Sequence, residues 1–321
     1  MNPLCPGDRL DHYRLDAEVG HGGMSTIYRA TDLADGAPVA IKIPSLELES
    51  DPVFYERFRR EEATVAKLAH AGVPRIRRDG DRSRLYLVTD WVEGELLRDL
   101  LRREAPLAEE RATRLAIAIA GILEYIHAHG IIHRDLKPEN LLIGAGDRPV
   151  LIDFGLAGSA GARRLTFGKL SQLMGTPDYI SPEQVRGRRG DARSDLFALG
   201  AIYYEMLVGR PPFQGPNAFA IMNDRLLNYP PPPREINPRI SEQAQEIVYR
   251  ALERDPARRY AGAREMIWDL EHKEAVGVAE RDELRSWRRR RNPERRRRWL
   301  YAGLALLPVL LFWLLFWLAR K

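Results

Sequence analysis

Short apolar runs bounded by turn residues fill the first ninety positions, and apolar residues three and four apart fill most of positions 91–272. Segments 13–19 and 25–31 read as strands on either side of the glycine-rich run Gly20-His21-Gly22-Gly23-Met24. Segment 38–43 reads as a third strand and 84–89 as another, leading to a connection at 90–94. Between these strands, 52–68 predicts a helix with Phe54, Phe58, Val65 and Leu68 on its buried face. Beyond 91 the pattern predicts a helix over 95–103. A longer one follows, in which Leu115, Ile119, Ile122 and Ile126 recur at steps of 4, 3 and 4 and Gly130 supplies the stop. Ser194 is the expected N-cap of an apolar helix over 195–208, ended by Gly209 and Pro211. The four prolines 230–233 predict an extended loop. Helices are expected again around Ala244, Ile247, Val248 and Ala251, and over 263–270.

The 321 residues, 45% hydrophobic and 30% charged, suffice for more than one sizeable core. A single cysteine, Cys5, cannot form an internal disulfide and fits a reducing compartment. The net charge of +5 is unevenly spread. Residues 285–321 hold eleven Lys and Arg against one acid, Glu294, so residues 1–284 are net acidic and offer no nucleic-acid-binding surface. No apolar signal-like run opens the chain. Residues 299–319 are 21 positions without a formal charge, reaching about 31 Å as a helix, enough to span a bilayer core. The arginines at 288–291 and 295–298 precede them directly. A basic juxtamembrane stem over 273–298, drawn to anionic lipid through residues 285–321, is therefore expected. It would keep the body on the cytoplasmic side.

The chemistry is concentrated in His133-Arg134-Asp135-Leu136-Lys137-Pro138-Glu139-Asn140, which sets a carboxylate, an ammonium and an amide at offsets 0, +2 and +5. Thirteen residues after Asn140 comes Asp153-Phe154-Gly155. Transfer of a phosphoryl group needs a base near the acceptor hydroxyl and hard oxygen ligands near the phosphates. These two motifs, with Ala40-Ile41-Lys42 upstream, resemble the eukaryotic-like serine/threonine protein kinases, especially the bacterial members. The resemblance covers roughly residues 10–272.

That resemblance implies an α+β, two-lobed kinase fold: a strand-rich lobe over 1–90, a helical lobe over 91–272, the stem over 273–298 and one transmembrane helix over 299–319. It implies ATP and Mg²⁺ as reactants. Asp135 is then the catalytic base, Lys137 neutralises the transferred group, and Asn140 and Asp153 hold the metal. Gly20, Gly22 and Gly23 cover the phosphates, Ser25 standing where the family has a third glycine. Lys42 contacts the α- and β-phosphates, paired with Glu61 or with the competing Glu62. Ile27, Ala40 and Leu142 sandwich the adenine, Asp90 and Val92 bond its edge through their backbone, and Thr89 guards the back of the pocket. His133 orients the loop, and Asp195 supports its backbone. The run 175–183 resembles the peptide-positioning loop. There Thr176 links to Asp135 and Lys137, Ser181 replaces an alanine, and Glu183 pairs with Arg259 or Arg258. Between them, Thr166 or Ser171 is the expected autophosphorylation site, meeting Arg134, and a homodimer would let one copy modify another. Protein substrates bearing Ser or Thr are the implied partners. A binding module without turnover and a small-molecule phosphotransferase are the rival readings.

Overall fold

Alternation along the early strands builds an antiparallel sheet in the order β1-β2-β3-β4-β6-β5, formed by β1 (Arg9–Leu10), β2 (Tyr13–His21), β3 (Ser25–Asp32), β4 (Pro38–Pro44), β5 (Ile76–Arg77) and β6 (Leu87–Asp90). The computed structural model describes residues 4–22, 25–77, 82–153 and 177–279, without the side chains of Arg57, Arg60 and Glu61. One face of the sheet is a core of its own, with Tyr13, Leu15, Tyr28, Ala30, Val39, Ile41, Tyr86 and Val88 fully or almost fully buried. Because side chains alternate across a strand, the residues between them share the opposite face. Ile27 stands opposite Lys42, Lys42 opposite Leu87, and Ala40 opposite Thr89, so these five side chains form one row of half-buried positions. The strand expected at 84–89 begins only at Leu87. Residues 82–86 are diverted instead by side-chain anchors: Arg84 bonds Glu49 at 2.7 Å, and Ser83 N and Tyr86 OH both donate to Asp11.

The helices are α1 (Leu46–Glu49), α2 (Pro52–Val65), α3 (Leu97–Glu104), α4 (Glu109–Ala128), α5 (Pro182–Val185), α6 (Ala192–Val208), α7 (Ala218–Leu227), α8 (Pro233–Ile236), α9 (Glu242–Ala251) and α10 (Ala263–Glu271). Phe54, Phe58 and Val65 of α2 and Leu68 just beyond it are all buried in the larger core, which also takes Leu115, Ile119, Ile122 and Ile126 of α4. Asp51 caps α2 by accepting from Val53 N. The long α4 ends in a Schellman motif: Gly130 has φ +74°, Ile131 N donates to Ile126 O at 3.0 Å, and Gly130 N to His127 O at 2.9 Å. Helix α6 is buried all round from Ser194 to Val208 and forms the axis of the helical lobe.

Four further expectations change. Helix α6 starts earlier, because Asp191 rather than Ser194 is its cap, accepting from Arg193 N; the Ser194 hydroxyl turns inward to donate to Glu183 at 2.6 Å. The helix predicted from 95 is preceded by strand β7 (Glu95–Leu96), which pairs with β8 (Leu141–Gly144). β8 in turn pairs with β9 (Arg148–Leu151) in a three-stranded sheet. Of the four prolines, Pro233 opens α8, since a proline at the first helical position loses no hydrogen bond. Residues 66–68 close in turns rather than extending α2. Met1–Gly277 form one compact unit and Val278–Lys321 a second. Among the described residues no helix is long and apolar enough to cross a membrane. The expected span at 299–319 and its basic stem from 285 lie outside those residues.

Candidate active site

The octapeptide His133–Asn140 fills the connection between α4 and β8, where the backbone leaves a helix, turns, and enters a strand. Its turn forces Arg134 into the left-handed region at φ +65°, a conformation costing a non-glycine residue about 1–3 kcal/mol. The surroundings hold that peptide from both ends. The buried Asp195 carboxylate accepts from His133 N at 2.9 Å and from Arg134 N at 2.7 Å, while Gln184 Nε2 donates to Arg134 O at 2.9 Å. His127 Nε2 donates to the same Asp195 at 2.8 Å. A buried carboxylate is costly unless its oxygens are bonded, and here three donors meet it. Asp195 was legible from the sequence; Gln184 and His127 were not, because nothing local marks a side chain that reaches across 50 and 68 residues.

From this fixed turn a hydrogen-bonded chain runs through the site. Asn140 Nδ2 donates to Asp135 O at 2.7 Å and approaches Asp135 Oδ2 at 3.4 Å. Lys137 Nζ lies 2.8 Å from Asp135 Oδ2. His133 Nδ1 accepts from Asp135 N at 3.3 Å, which leaves Nε2 to donate to Asp153 O. Lys42 Nζ then reaches both Asp153 oxygens, at 2.8 and 2.7 Å. Ile152 N also donates to Asn140 O at 3.0 Å, tying the end of β9 to the octapeptide. Asp135, Lys137, Asn140, Asp153 and Lys42 are thus brought together.

Lys42 does not meet Glu62, the competing partner, which instead forms a buried ion pair with Arg82 at 2.8 Å. The Glu61 side chain lies outside the described residues, so its pairing is left where the sequence put it. Gly23, Phe154, Gly155, Thr166, Ser171 and Thr176 lie outside them as well. Gly20 stands opposite Ile27 across β2 and β3, and Gly22 N donates to Ser25 O at 2.9 Å to close the turn. Ile27, Ala40 and Thr89 share the half-buried row of the large sheet, and Leu142 of β8 is half-buried too. Val92 offers an N–H and a C=O that have no hydrogen-bond partner among the described residues, the donor–acceptor pair a purine edge would take. Asp90 is engaged on its other groups. Its N–H donates to Arg75 O at 3.0 Å, and its carboxylate accepts from Arg77, which also holds Asp32 and Asp35. Arg77 was missed, since nothing in the run Arg75-Ile76-Arg77-Arg78 marks which arginine meets which acids.

Asp153 and the free end of the Asn140 amide are hard oxygen donors. Among the described residues no group of three or more His, Cys, Asp or Glu is placed to hold a metal by itself.

The described part of the run expected to position a peptide, 177–183, is held by buried polar groups. Arg259 bonds Glu183 through both nitrogens, at 2.8 and 2.7 Å, and Arg258 does not. Burial pushes the Glu183 carboxyl up, but Arg259 and the Ser194 hydroxyl outweigh it and hold it at about 2. Arg225 of α7, fully buried, donates to Pro177 O at 2.5 Å and Asp178 O at 2.6 Å and lies over the rings of Phe197 and Phe213. Burial brings its guanidinium down to about 10. Burial pushes the Asp178 carboxyl above its usual range.

Residues 13–269 match the model of the protein kinase domain. The chain belongs to the protein kinase family. It is 37% identical over 270 residues to a probable serine/threonine-protein kinase of Corynebacterium efficiens, covering 81% of this chain and 41% of that one. It is 36% identical over 270 residues to the serine/threonine-protein kinase PknB of Mycolicibacterium smegmatis, covering 83% and 43%. This kinase chain thus spans about two-fifths of the length of these curated relatives. In fold it is similar to the PknI kinase domain of Mycobacterium tuberculosis, with a TM-score of 0.65 at 24% identity over 85% of this chain and 100% of that one. The kinase carries a domain of the serine/threonine type, with the strand-rich and helical lobes of that fold.

Proposed function

We propose that the chain transfers the γ-phosphoryl group of ATP to serine and threonine hydroxyls of protein substrates, itself included, at the cytoplasmic face of a membrane. The observation that carries the activity is the unbroken chain of bonds from Lys137 through Asp135, His133 and Asp153 to Lys42. Asp135 is half exposed and accepts the proton of the incoming hydroxyl as its oxygen bonds phosphorus and the bridge to ADP breaks. Lys137 sets a positive charge beside that point. Lys42 and the glycine turn receive the phosphates, and Asn140 and Asp153 would hold Mg²⁺. When bound, Mg²⁺ neutralises charge across the phosphate oxygens.

Transfer of labelled phosphate to a generic protein should fall at least about a hundredfold in Asp153→Ala, as loss of a metal ligand removes several kcal/mol. Equal labelling by both proteins would reject phosphoryl transfer here and favour a binding module. The positioning run around Glu183 supports a peptide acceptor over a small molecule.

Autophosphorylation is read at Thr166 or Ser171, where a phosphate would give Arg134 an anion, with a homodimer as the route between copies. The membrane reading rests on the 21 uncharged residues at 299–319 and the arginines before them, worth about 1 kcal/mol each near an anionic surface. Removing 299–321 should release the kinase from sedimented membranes with its transfer activity retained. Recovery of the intact chain in the supernatant would reject the anchor.

A further inference from the structure

Helix α5 takes in the end of the peptide-positioning run, and the loop after it exposes Arg186, Arg188 and Arg189. The loop is built, not slack. Gly187 at φ +75° ends α5 in a Schellman motif, with Gly187 N donating to Gln184 O at 2.9 Å and Arg188 N to Glu183 O at 3.0 Å. Gly190, at φ +73°, lies so close to the Ser194 side chain that a Cβ would not fit. The backbone therefore fixes the points from which three exposed arginines leave the loop within four residues.

None of the three side chains has a hydrogen bond or ion pair among the described residues, although other exposed arginines of the chain find acids. Arg14 holds Asp16, Arg102 holds Asp99, and Arg234 holds Glu242. The nearby acids are committed elsewhere: Asp191 caps α6, and Glu183 is bound to Arg259. The remainder of residues 1–284 is net acidic, so the cluster stands against the charge of its surroundings. The loop also lies near the chemistry. Gln184 Nε2 bonds Arg134 O, next to Asp135, and Arg188 is four residues further on, at most about 14 Å of extended chain.

We propose that residues 186–189 dock an acidic segment of the protein substrate, selecting serine or threonine sites flanked by Asp and Glu. This rests on the kinase reading and names the substrate class of that site. Exposed ion pairs are individually weak, so three of them acting together should give a preference of about fivefold to tenfold that fades as salt rises.

The test uses the full-length chain and two labelled serine peptides that differ only in a flanking block, Asp/Glu or Asn/Gln. Fluorescence anisotropy reads binding without turnover, and kcat/KM reads transfer. The acidic peptide should bind and react about fivefold to tenfold better than the neutral one. Combined Arg186→Gln, Arg188→Gln and Arg189→Gln substitution should erase that preference in both readouts. Equal affinity of the wild type for the two peptides, or a preference that survives in the triple variant, overturns the docking surface. So does a triple variant that loses only binding to vesicles containing anionic lipid, which would make the loop a membrane contact. Acidic-peptide binding that depends on the three arginines with no transfer to either peptide would uphold the docking surface and reject the kinase reading.

Discussion

Asp135→Asn should lower kcat about 10²- to 10⁴-fold, the usual contribution of a positioned base, while leaving the fold and the nucleotide affinity nearly unchanged. The bond that shapes the loop runs from Asn140 Nδ2 to the main-chain oxygen of residue 135, which the substitution keeps. The carboxylate itself is half exposed, so the stability change should stay within about 0.5 kcal/mol. The effect should therefore appear in kcat and not in KM for ATP, because Lys42 and Asp153 are untouched. Initial rates over a matrix of ATP and peptide concentrations, with thermal melting of both proteins, separate these quantities. A variant that melts normally and retains more than about a tenth of the wild-type kcat would remove Asp135 from the role of base.

The largest stability effect is expected at the Glu183–Arg259 pair. The Arg259 side chain is fully buried and that of Glu183 almost so. Arg259 also donates to Glu253 O at 2.6 Å and Arg193 O at 3.1 Å, so one guanidinium joins α5, the start of α6 and the loop after α9. Arg259→Met leaves Glu183 buried with the Ser194 hydroxyl and its own backbone N–H but no cation, a loss of about 3–5 kcal/mol. For a body of this size that should lower Tm by on the order of ten degrees. The double variant with Glu183→Gln should recover part of the loss, because no uncompensated charge remains.

Acid should read the same pair. The Glu183 carboxyl falls from its ordinary 4.5 to about 2 in the folded chain. A depressed carboxylate adds stability above the unfolded pKa and loses it as pH falls through the folded one. About 3 kcal/mol should therefore disappear between pH 4.5 and 2. Urea unfolding across that window should show the decline in the wild type and a correspondingly shallower one in Glu183→Gln. Parallel curves would mean that the pair does not govern acid stability.

Much of this site could be read from the chain because its key groups are neighbours in sequence. Asp135, Lys137 and Asn140 sit within six residues, so the local turn alone brings them together. The buried faces of α2 and α4 were legible for a similar reason: a helix repeats every 3.6 residues, so periodicity marks the side that must leave water. Tertiary structure decided which acid each distant cation meets. Arg82 takes Glu62 on α2, Arg77 gathers Asp32, Asp35 and Asp90, and Gln184 reaches back to Arg134 O. Even the start of α6 was a tertiary choice, since Ser194 would cap a helix well but is drawn inward by the buried Glu183. Sequence patterns register what each residue must bury. They do not register which of several chemically equivalent partners the packed backbone brings within 3 Å, because that depends on the whole chain closing at once.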